Sequence, residues 1–378
     1  MSDWVPVEDA LERLGVQRQT LYAYVSRGLL RARPDADDPR RSLYAGDDLA
    51  RLKGRRRGAR RRAEVAASAI AWGEPVLESA ISTVRDGQLI FRGRPVEELA
   101  KNSTLEEVAV LLWQAAEPTV KVSSARIDGA TSKARAFNLL ARRAAEDAPT
   151  LGRNAAALCE DAWSLLPAFA DALTGAVGRG PVHARLAKAW KTDERGGQLI
   201  RRMLVLMADH ELNPSTFAVR IAASTGAPLA ACALAGLSTL AGPLHGEAAS
   251  RALAQLDQLM TAKKDVAAEV RTMLARGDPL AGWSHPLYPD GDPRAAYVLA
   301  ALKPRVAIAR ILQAMERETH DKPNCDAAMA AMTRELGLPD DAPFCIFALG
   351  RLTGWLAHAM EQRANGQIIR PRARYTGE

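Results

Sequence analysis

His285 and Arg294 are the residues whose types and spacing first point to chemistry. They lie in Ala281-Gly282-Trp283-Ser284-His285-Pro286-Leu287-Tyr288 and the Asp292-Pro293-Arg294 that follows. A histidine followed by Pro, Tyr, Gly and Asp-Pro makes a poor helix interior, because proline removes backbone donors and pushes its predecessor out of the α region. A loop is therefore expected here, and loops on a rigid scaffold are where binding and catalytic side chains concentrate. An imidazole and a guanidinium within loop reach of each other suit a carbonyl compound that bears carboxylates.

Three further groupings share this character. They are Ala208-Asp209-His210-Glu211-Leu212-Asn213-Pro214, then Gly242-Pro243-Leu244-His245-Gly246-Glu247, then Lys322-Pro323-Asn324-Cys325-Asp326 with Gly350-Arg351 and Ile369-Arg370-Pro371 downstream. Each also has a plain structural reading. His210 can finish an apolar helix, His245 can sit in a turn, and Asp326 after Pro-Asn can cap the helix that follows.

The scaffold for these groups is expected to be mainly α. Hydrophobic residues make up 48% of the 378 and aromatics only 5%, and a chain rich in Ala and Leu favours helices. At about 150 residues per domain the length points to two or three domains. Ala80 to Val84 and Gln88 to Phe91 about Asp86-Gly87 predict a small hairpin. Ser103-Thr104-Leu105-Glu106 reads as a capping box opening a helix through Trp113, stopped by Pro118. Ile221 to Gly242, broken by Pro228, predicts a packed helix pair rather than a membrane span. Cys159, Cys232, Cys325 and Cys345 show no paired metal spacing and read as buried or free thiols in a reducing cytosol. No secretory leader is seen, so a cytoplasmic protein without a membrane partner is expected.

The net charge of +7 is concentrated at the start, where residues 1–70 hold 15 Lys and Arg against 10 Asp and Glu. Such asymmetry points to a polyanionic partner, most often nucleic acid. Val5, Val7, Ala10, Leu11 and Leu14 space an apolar helical face that Gly15 ends, and a second helix begins over Val16 to Tyr22. Gln17, Arg18, Gln19 and Tyr22 near its start are placed as major-groove reading requires. Arg31 to Tyr44, with Arg40 and Arg41, reads as a wing, and Ala45 to Leu52 as a third helix. Eight cations follow in the twelve residues 51–62, a solvated linker or a phosphate-neutralising stretch.

Through "LGVQRQTLYAYVSRGLL" and "RSLYAGDDLARL", about the first 55 residues resemble the helix-turn-helix DNA-binding domain of the MerR family. From about Ile81 to Tyr375 the chain resembles citrate synthase. The resemblance rests on "LIFRGRPVEELAKNSTLEEVAVLLWQAAEPT", "ADHELNPSTF", "GPLHGEA", "DPRA", "PNCDAAM", "FALGRLTGWLAHAMEQ" and "IIRPRARYTG", in the family's order.

It implies a mainly α fold: citrate synthase-like large and small helical domains after a small winged helix-turn-helix domain. The implied boundaries are 1–55, a basic linker over 56–80, and 81–378 with a small domain around 250–345. The implied reaction joins acetyl-CoA to oxaloacetate, giving citrate and CoA. By position Asp326 resembles the base that takes a proton from the thioester methyl group, His245 the residue that stabilises the enol, and His285 the electrophile that polarises the keto carbonyl. Arg294 and Arg351 resemble the guanidinium forks for the dicarboxylate, with His210 as a further contact. Arg370 resembles an arginine supplied by the neighbouring subunit, which implies a homodimer with shared active sites. No metal or tightly bound cofactor is implied; the acyl-CoA is a co-substrate.

Four features depart from the family pattern: the stretches from Arg294 to Asp326, in the small domain that closes over coenzyme A, and from Pro118 to Ala208 are short, and two residues differ. Glu247 stands where a second glycine usually follows His-Gly, putting a carboxylate beside a site for anions, and Pro286 follows His285 where arginine is common. Two alternatives accompany the main reading: a 2-methylcitrate synthase using propionyl-CoA, and a DNA-binding regulator whose synthase-like body senses metabolites.

Overall fold

The computed structural model describes residues 3–16, 21–22, 24–25, 29–35, 38, 41–53, 77–116, 127–262, 265–373 and 375–377. The chain divides into two compact units, Met1–Glu78 and Ser79–Glu378.

In the first unit, strand β1 (Trp4–Val5) leads into helix α1 (Val7–Leu14). Gly15, at φ 59°, ends that helix in the left-handed conformation glycine tolerates best. Strands β2 (Ala32–Pro34) and β3 (Ser42–Ala45) complete an antiparallel sheet in the order β1-β3-β2. Val5, expected on the first helix, belongs instead to β1, where Pro6 holds the chain extended and Val5 pairs with Tyr44. A small core of Val5, Ala10, Leu14, Leu21, Leu30, Tyr44, Leu49 and Leu52 fills this unit. Asp48 ties it together, accepting from the backbone and side chain of Arg31 at 3.0 and 2.8 Å and from Arg51 at 3.0 Å.

The second unit begins with strands β4 (Ser82–Arg85), β5 (Gln88–Phe91) and β6 (Arg94–Pro95), paired antiparallel in that order. Asp86 and Gly87 take φ of 51° and 72°, the left-handed pair that a two-residue hairpin needs to match strand twist. Helices α2 (Val96–Asn102) and α3 (Leu105–Trp113) follow. The capping box sits one residue later than expected: Thr104 caps Glu107 N and Glu107 returns to Thr104 N at 2.7 Å. Ser103 serves as the end of α2, so it is not free to start α3. The end of α3 is Gln114 in the left-handed region; Pro118 lies outside the described residues.

The remaining helices are α4 (Ser132–Glu146), α5 (Ala155–Thr174), α6 (Val182–Ala189), α7 (Glu194–Leu206), α8 (Pro214–Ser224), α9 (Leu229–Leu240), α10 (Glu247–Met260), α11 (Val266–Arg276), α12 (Pro293–Leu302), α13 (Val306–Thr319), α14 (Cys325–Leu336) and α15 (Ala342–Asn365). Pro228 separates α8 from α9 and the two pack together, the expected helix pair.

Helix α15 is the axis of this unit. It is apolar around most of its circumference, and such a helix is stable only when surrounded. Its small residues decide how closely α7 and the turn after it approach. A Cβ on Gly350 would stand 2.8 Å from Leu204 O, and one on Gly354 would run into Ala208 O and Asp209 Oδ1. Away from the main core, a second apolar cluster joins Leu253, Leu256 and Leu259 of α10 to Val270 and Met273 of α11 and to Ile311 and Met315 of α13.

Candidate active site

Four loops at helix ends carry the polar groups. The first follows α7. Asn213 caps α8 with its side chain, and Pro214 occupies the first turn, where its missing N–H costs nothing. The intervening turn strains Glu211 to φ 49° and leaves His210 buried, its Nε2 2.8 Å from the Tyr288 hydroxyl. Asp209, wholly buried, is held by His358 Nε2 at 3.2 Å and by the Ser82 hydroxyl.

The second loop joins α9 to α10. Gly246 N donates to Leu240 O at 2.8 Å, so close that a Cβ there would stand 2.6 Å from the same carbonyl. This tight turn presents His245 edge-on to Phe347, with Nε2 2.9 Å from Ser215 Oγ. Ser215 Oγ also receives Trp355 Nε1–H at 3.2 Å and lies 2.7 Å from Asn213 Oδ1.

The third and fourth loops are laced together. Gly282 and Ser284 take φ of 87° and 62°, and a Cβ on Gly282 would meet Ala327 N at 2.9 Å. Ser284 N donates to Lys322 O and Asn324 N to Gly282 O, both at 2.9 Å. His285 thus sits on a loop, as its Pro-rich surroundings predict, while Asn324 rather than Asp326 caps α14. Asp326 lies in the first turn of that helix, with its Oδ1 enclosed and without a hydrogen-bond partner.

The two buried guanidinium groups are held differently. Asp292 caps α12 and grips Arg294 through two parallel bonds, Nε to Oδ1 at 3.0 Å and Nη2 to Oδ2 at 2.8 Å, while also accepting Cys325 N at 3.0 Å. Arg351, one turn along α15 from Phe347 and stacked on its ring, donates Nε–H to Met207 O at 3.1 Å.

These groups set each other's protonation. Burial drives His245 and His285 down to about 4, with Arg351 and Arg294 respectively adding to the effect. Burial, then Arg294 and Arg351, hold His210 well below its ordinary value. All three imidazoles are therefore neutral at pH 7. His285 Nδ1 accepts Leu287 N–H at 3.2 Å, so its proton is on Nε2. Burial raises Asp326 to about 7 against the pull of Arg294 and Arg351, with Asp292 assisting the rise. Burial brings Arg351 down to about 10. The site combines a carboxyl poised near neutrality, neutral imidazole donors and two buried cations, a set suited to proton abstraction beside a bound dianion.

Of the residues the sequence marked, His210, His245, His285, Arg294, Asp326 and Arg351 come together. His210 is in electrostatic reach of Arg294, Arg351, His285 and His245 at once, and Asp326 of both arginines. Arg370 does not join them within one chain; it lies exposed beyond α15. Of the marked residues in the first unit, Tyr22 is 54% exposed and Arg41 is exposed, 3.4 Å from Asp38. Gln17, Arg18, Gln19 and Arg40 lie outside the described residues, as does all of the basic run from 54 onward.

The structure adds groups that residue type alone did not single out: Tyr288 against His210, Ser215 against His245, Asp292 under Arg294, and Lys133 paired with Glu247 at 2.6 Å. Only Asp292 carried a local signal, as the cap before Pro293. Among the described residues no group of three or more His, Cys, Asp or Glu could hold a metal, and no helix is long and apolar enough to cross a membrane.

The family model for the citrate synthase C-terminal domain matches residues 70–171 and 176–372. The 2-methylcitrate synthase of Shewanella oneidensis is 30% identical over 351 residues, covering 81% of this chain and 93% of that protein. The citrate synthase of Haloferax volcanii is 29% identical over 360 residues, covering 80% and 94%. Among solved structures, citrate synthase from Thermotoga maritima superposes with a TM-score of 0.67 at 25% identity, over 81% of this chain and 94% of that one. A ternary complex of the Thermoplasma acidophilum enzyme with carboxymethyl coenzyme A and oxaloacetate shares the fold, with a TM-score of 0.65 at 23% identity over 80% and 94%.

Proposed function

Since this chain belongs to the citrate synthase family, we propose that it condenses acetyl-CoA with oxaloacetate, releasing citrate and CoA. The observation that carries this reading is Asp326: a half-buried carboxyl with its Oδ1 enclosed, raised to about 7 although two buried arginines pull it down. A base for an unactivated methyl group works best near the working pH, and Asp326 has that property.

In this reading Arg294 and Arg351 bind the two carboxylates of the keto acid, with His210 as a third contact. Asp326 takes a proton from the thioester methyl group, and neutral His245 stabilises the enolate oxygen through a hydrogen bond. The enolate carbon then attacks the keto carbon while His285 Nε2–H donates to the oxygen that becomes the alkoxide. Water attacks the resulting citryl thioester, with His285 assisting, and the CoA thiol leaves. Arg370 acts across a two-fold axis on the neighbouring subunit's keto acid, making the enzyme a homodimer. The separate apolar cluster of α10, α11 and α13 supports a small domain around 250–345 within 81–378. Four buried free cysteines agree with residence in the cytoplasm.

Thiol release from acetyl-CoA and oxaloacetate tests the reading. Turnover no greater than that of an Asp326→Ala control would reject it. Propionyl-CoA assayed in parallel decides between citrate and 2-methylcitrate as product.

A second reading concerns the first unit. Its antiparallel strands β2 and β3, the exposed Tyr22, and the cation surplus of residues 1–70 support a winged helix-turn-helix over 1–55 that contacts duplex DNA, followed by a basic linker over 56–80. Affinity for duplex DNA must then fall steeply with added salt as counterions compete for the phosphates. Absent or salt-independent binding rejects it. DNA binding that responds to oxaloacetate, with no turnover, would make the chain a regulator rather than an enzyme.

A further inference from the structure

We infer that Tyr288 is a positioning residue for the keto acid: its hydroxyl donates to His210 Nε2 and so fixes His210 as an Nδ1–H donor toward the substrate. The inference rests on the reading of this site as a keto-acid site.

Tyr288 is 2% exposed and stands among three of the marked residues. Its hydroxyl is 2.8 Å from His210 Nε2, its ring centroid is 5.6 Å from that of His210 and 5.0 Å from that of His285, and the Arg294 guanidinium lies 5.4 Å from its centre. Either partner of the 2.8 Å bond has a proton to give. Burial raises the phenol above its ordinary value, so it keeps its proton. That proton needs an acceptor, because buried hydroxyls are nearly always satisfied, and among the described residues His210 Nε2 is the one within reach. If the imidazole donated instead, the phenol proton would be left enclosed without a partner, the costlier arrangement.

The neutral imidazole therefore carries its single proton on Nδ1. Arg294 and Arg351, which both act on His210, work against a second proton there. An Nδ1–H donor matches a carboxylate or keto oxygen held by the same two arginines, whereas a bare Nδ1 would repel it. Tyr288 touches no reacting atom in this scheme; it acts through His210.

Two measurements on the full-length chain test this. Nitrogen-15 NMR of the histidines gives the His210 tautomer directly, with His210→Gln used to assign the signal. Steady-state kinetics of wild type and Tyr288→Phe give the KM for oxaloacetate and kcat separately. The expected result is an Nδ1–H tautomer in wild type that is lost in Tyr288→Phe. With it the KM for oxaloacetate rises about tenfold and kcat changes less than threefold, the size of one buried hydrogen bond. An Nε2–H tautomer in wild type, or an unchanged KM in Tyr288→Phe, overturns the inference. A wild-type chain without turnover would count against the synthase reading itself, and the tautomer measurement would still decide whether Tyr288 controls His210.

Discussion

Asn324 holds Ser284. Its side-chain amide donates to the Ser284 carbonyl at 3.0 Å while its Oδ1 accepts Asp326 N–H at 2.9 Å. One side chain thus fixes the residue before His285 and the start of the helix that carries Asp326, so the proposed electrophile and base share a single anchor. The two functions of Asn324 can be separated. Asn324→Ser keeps an oxygen that caps the helix but cannot reach Ser284, whereas Asn324→Ala loses both. Urea unfolding should show Asn324→Ala destabilised by about 1–2 kcal/mol and Asn324→Ser by less. Both should lose tenfold or more in kcat. Full kcat in the serine variant would show that the tie to Ser284 has no bearing on turnover.

Asp326 and the histidines give opposite pH signatures. Because the free enzyme must hold Asp326 ionised to use it as a base, kcat/KM should climb with pH to a plateau, with an apparent pKa near 7. A flat profile between pH 6 and 8.5 would refute the assignment. For stability the sign reverses. Asp326 binds a proton in the folded chain up to about 7 but in the unfolded chain only to about 3.9, so its contribution falls as pH rises through that window. Asp326→Asn should therefore unfold at a higher temperature than wild type at pH 8, with the difference closing toward pH 4. Its kcat should drop by about 10²–10⁴. His245 and His285, lowered to about 4, behave the other way: the stability of their neutral state is lost as pH falls from about 6.5 toward 4.

How much of this site was legible in the sequence depended on how local its cause was. The loop at His285 and the hairpin at Asp86-Gly87 follow from proline and glycine chemistry within a few residues, and both appear where expected. The capping box moved by one residue because α2 claims Ser103, a competition the local motif does not reveal. Tyr288, Ser215 and Lys133 were hidden for a different reason. Their partners His210, His245 and Glu247 are 78, 30 and 114 residues away in the chain, so only the folded packing brings them together. The elevation of Asp326 was equally out of reach, since it comes from burial by surrounding helices rather than from its neighbours in sequence.

Asp292 and Arg294 form a pair with almost no solvent access, their side chains 0% and 2% exposed. Removing one charge from such a pair leaves the other stranded, so Asp292→Asn should lose about 3–5 kcal/mol in urea unfolding. It should also report on the base. Asp292 raises Asp326, so its loss should move the rising limb of the kcat/KM profile to lower pH. Oxaloacetate, a dianion able to replace the missing carboxylate, should raise the melting temperature of Asp292→Asn more than that of wild type. Equal shifts would mean that Arg294 does not meet the substrate.

Glu247 poses the last test, because it places a carboxylate two residues from His245 in the site proposed for anionic substrates. Lys133 answers it from α4, with its Nζ 2.6 Å from Glu247 Oε1 and 5.2 Å from the centre of the Phe344 ring. The pair is partly exposed, at 40% and 26%, so its direct effect on stability should stay within about 1 kcal/mol. Its expected effect is on substrate affinity. Lys133→Ala frees the Glu247 charge and should raise the KM for acyl-CoA several-fold at low salt, an effect that shrinks as ionic strength screens it. Glu247→Gly in the same chain removes the charge that Lys133 was neutralising, and the double variant should return to within about twofold of wild type, a coupling of at least 0.5 kcal/mol in the cycle. Additive losses in the double variant would show instead that Lys133 acts on the substrate by itself.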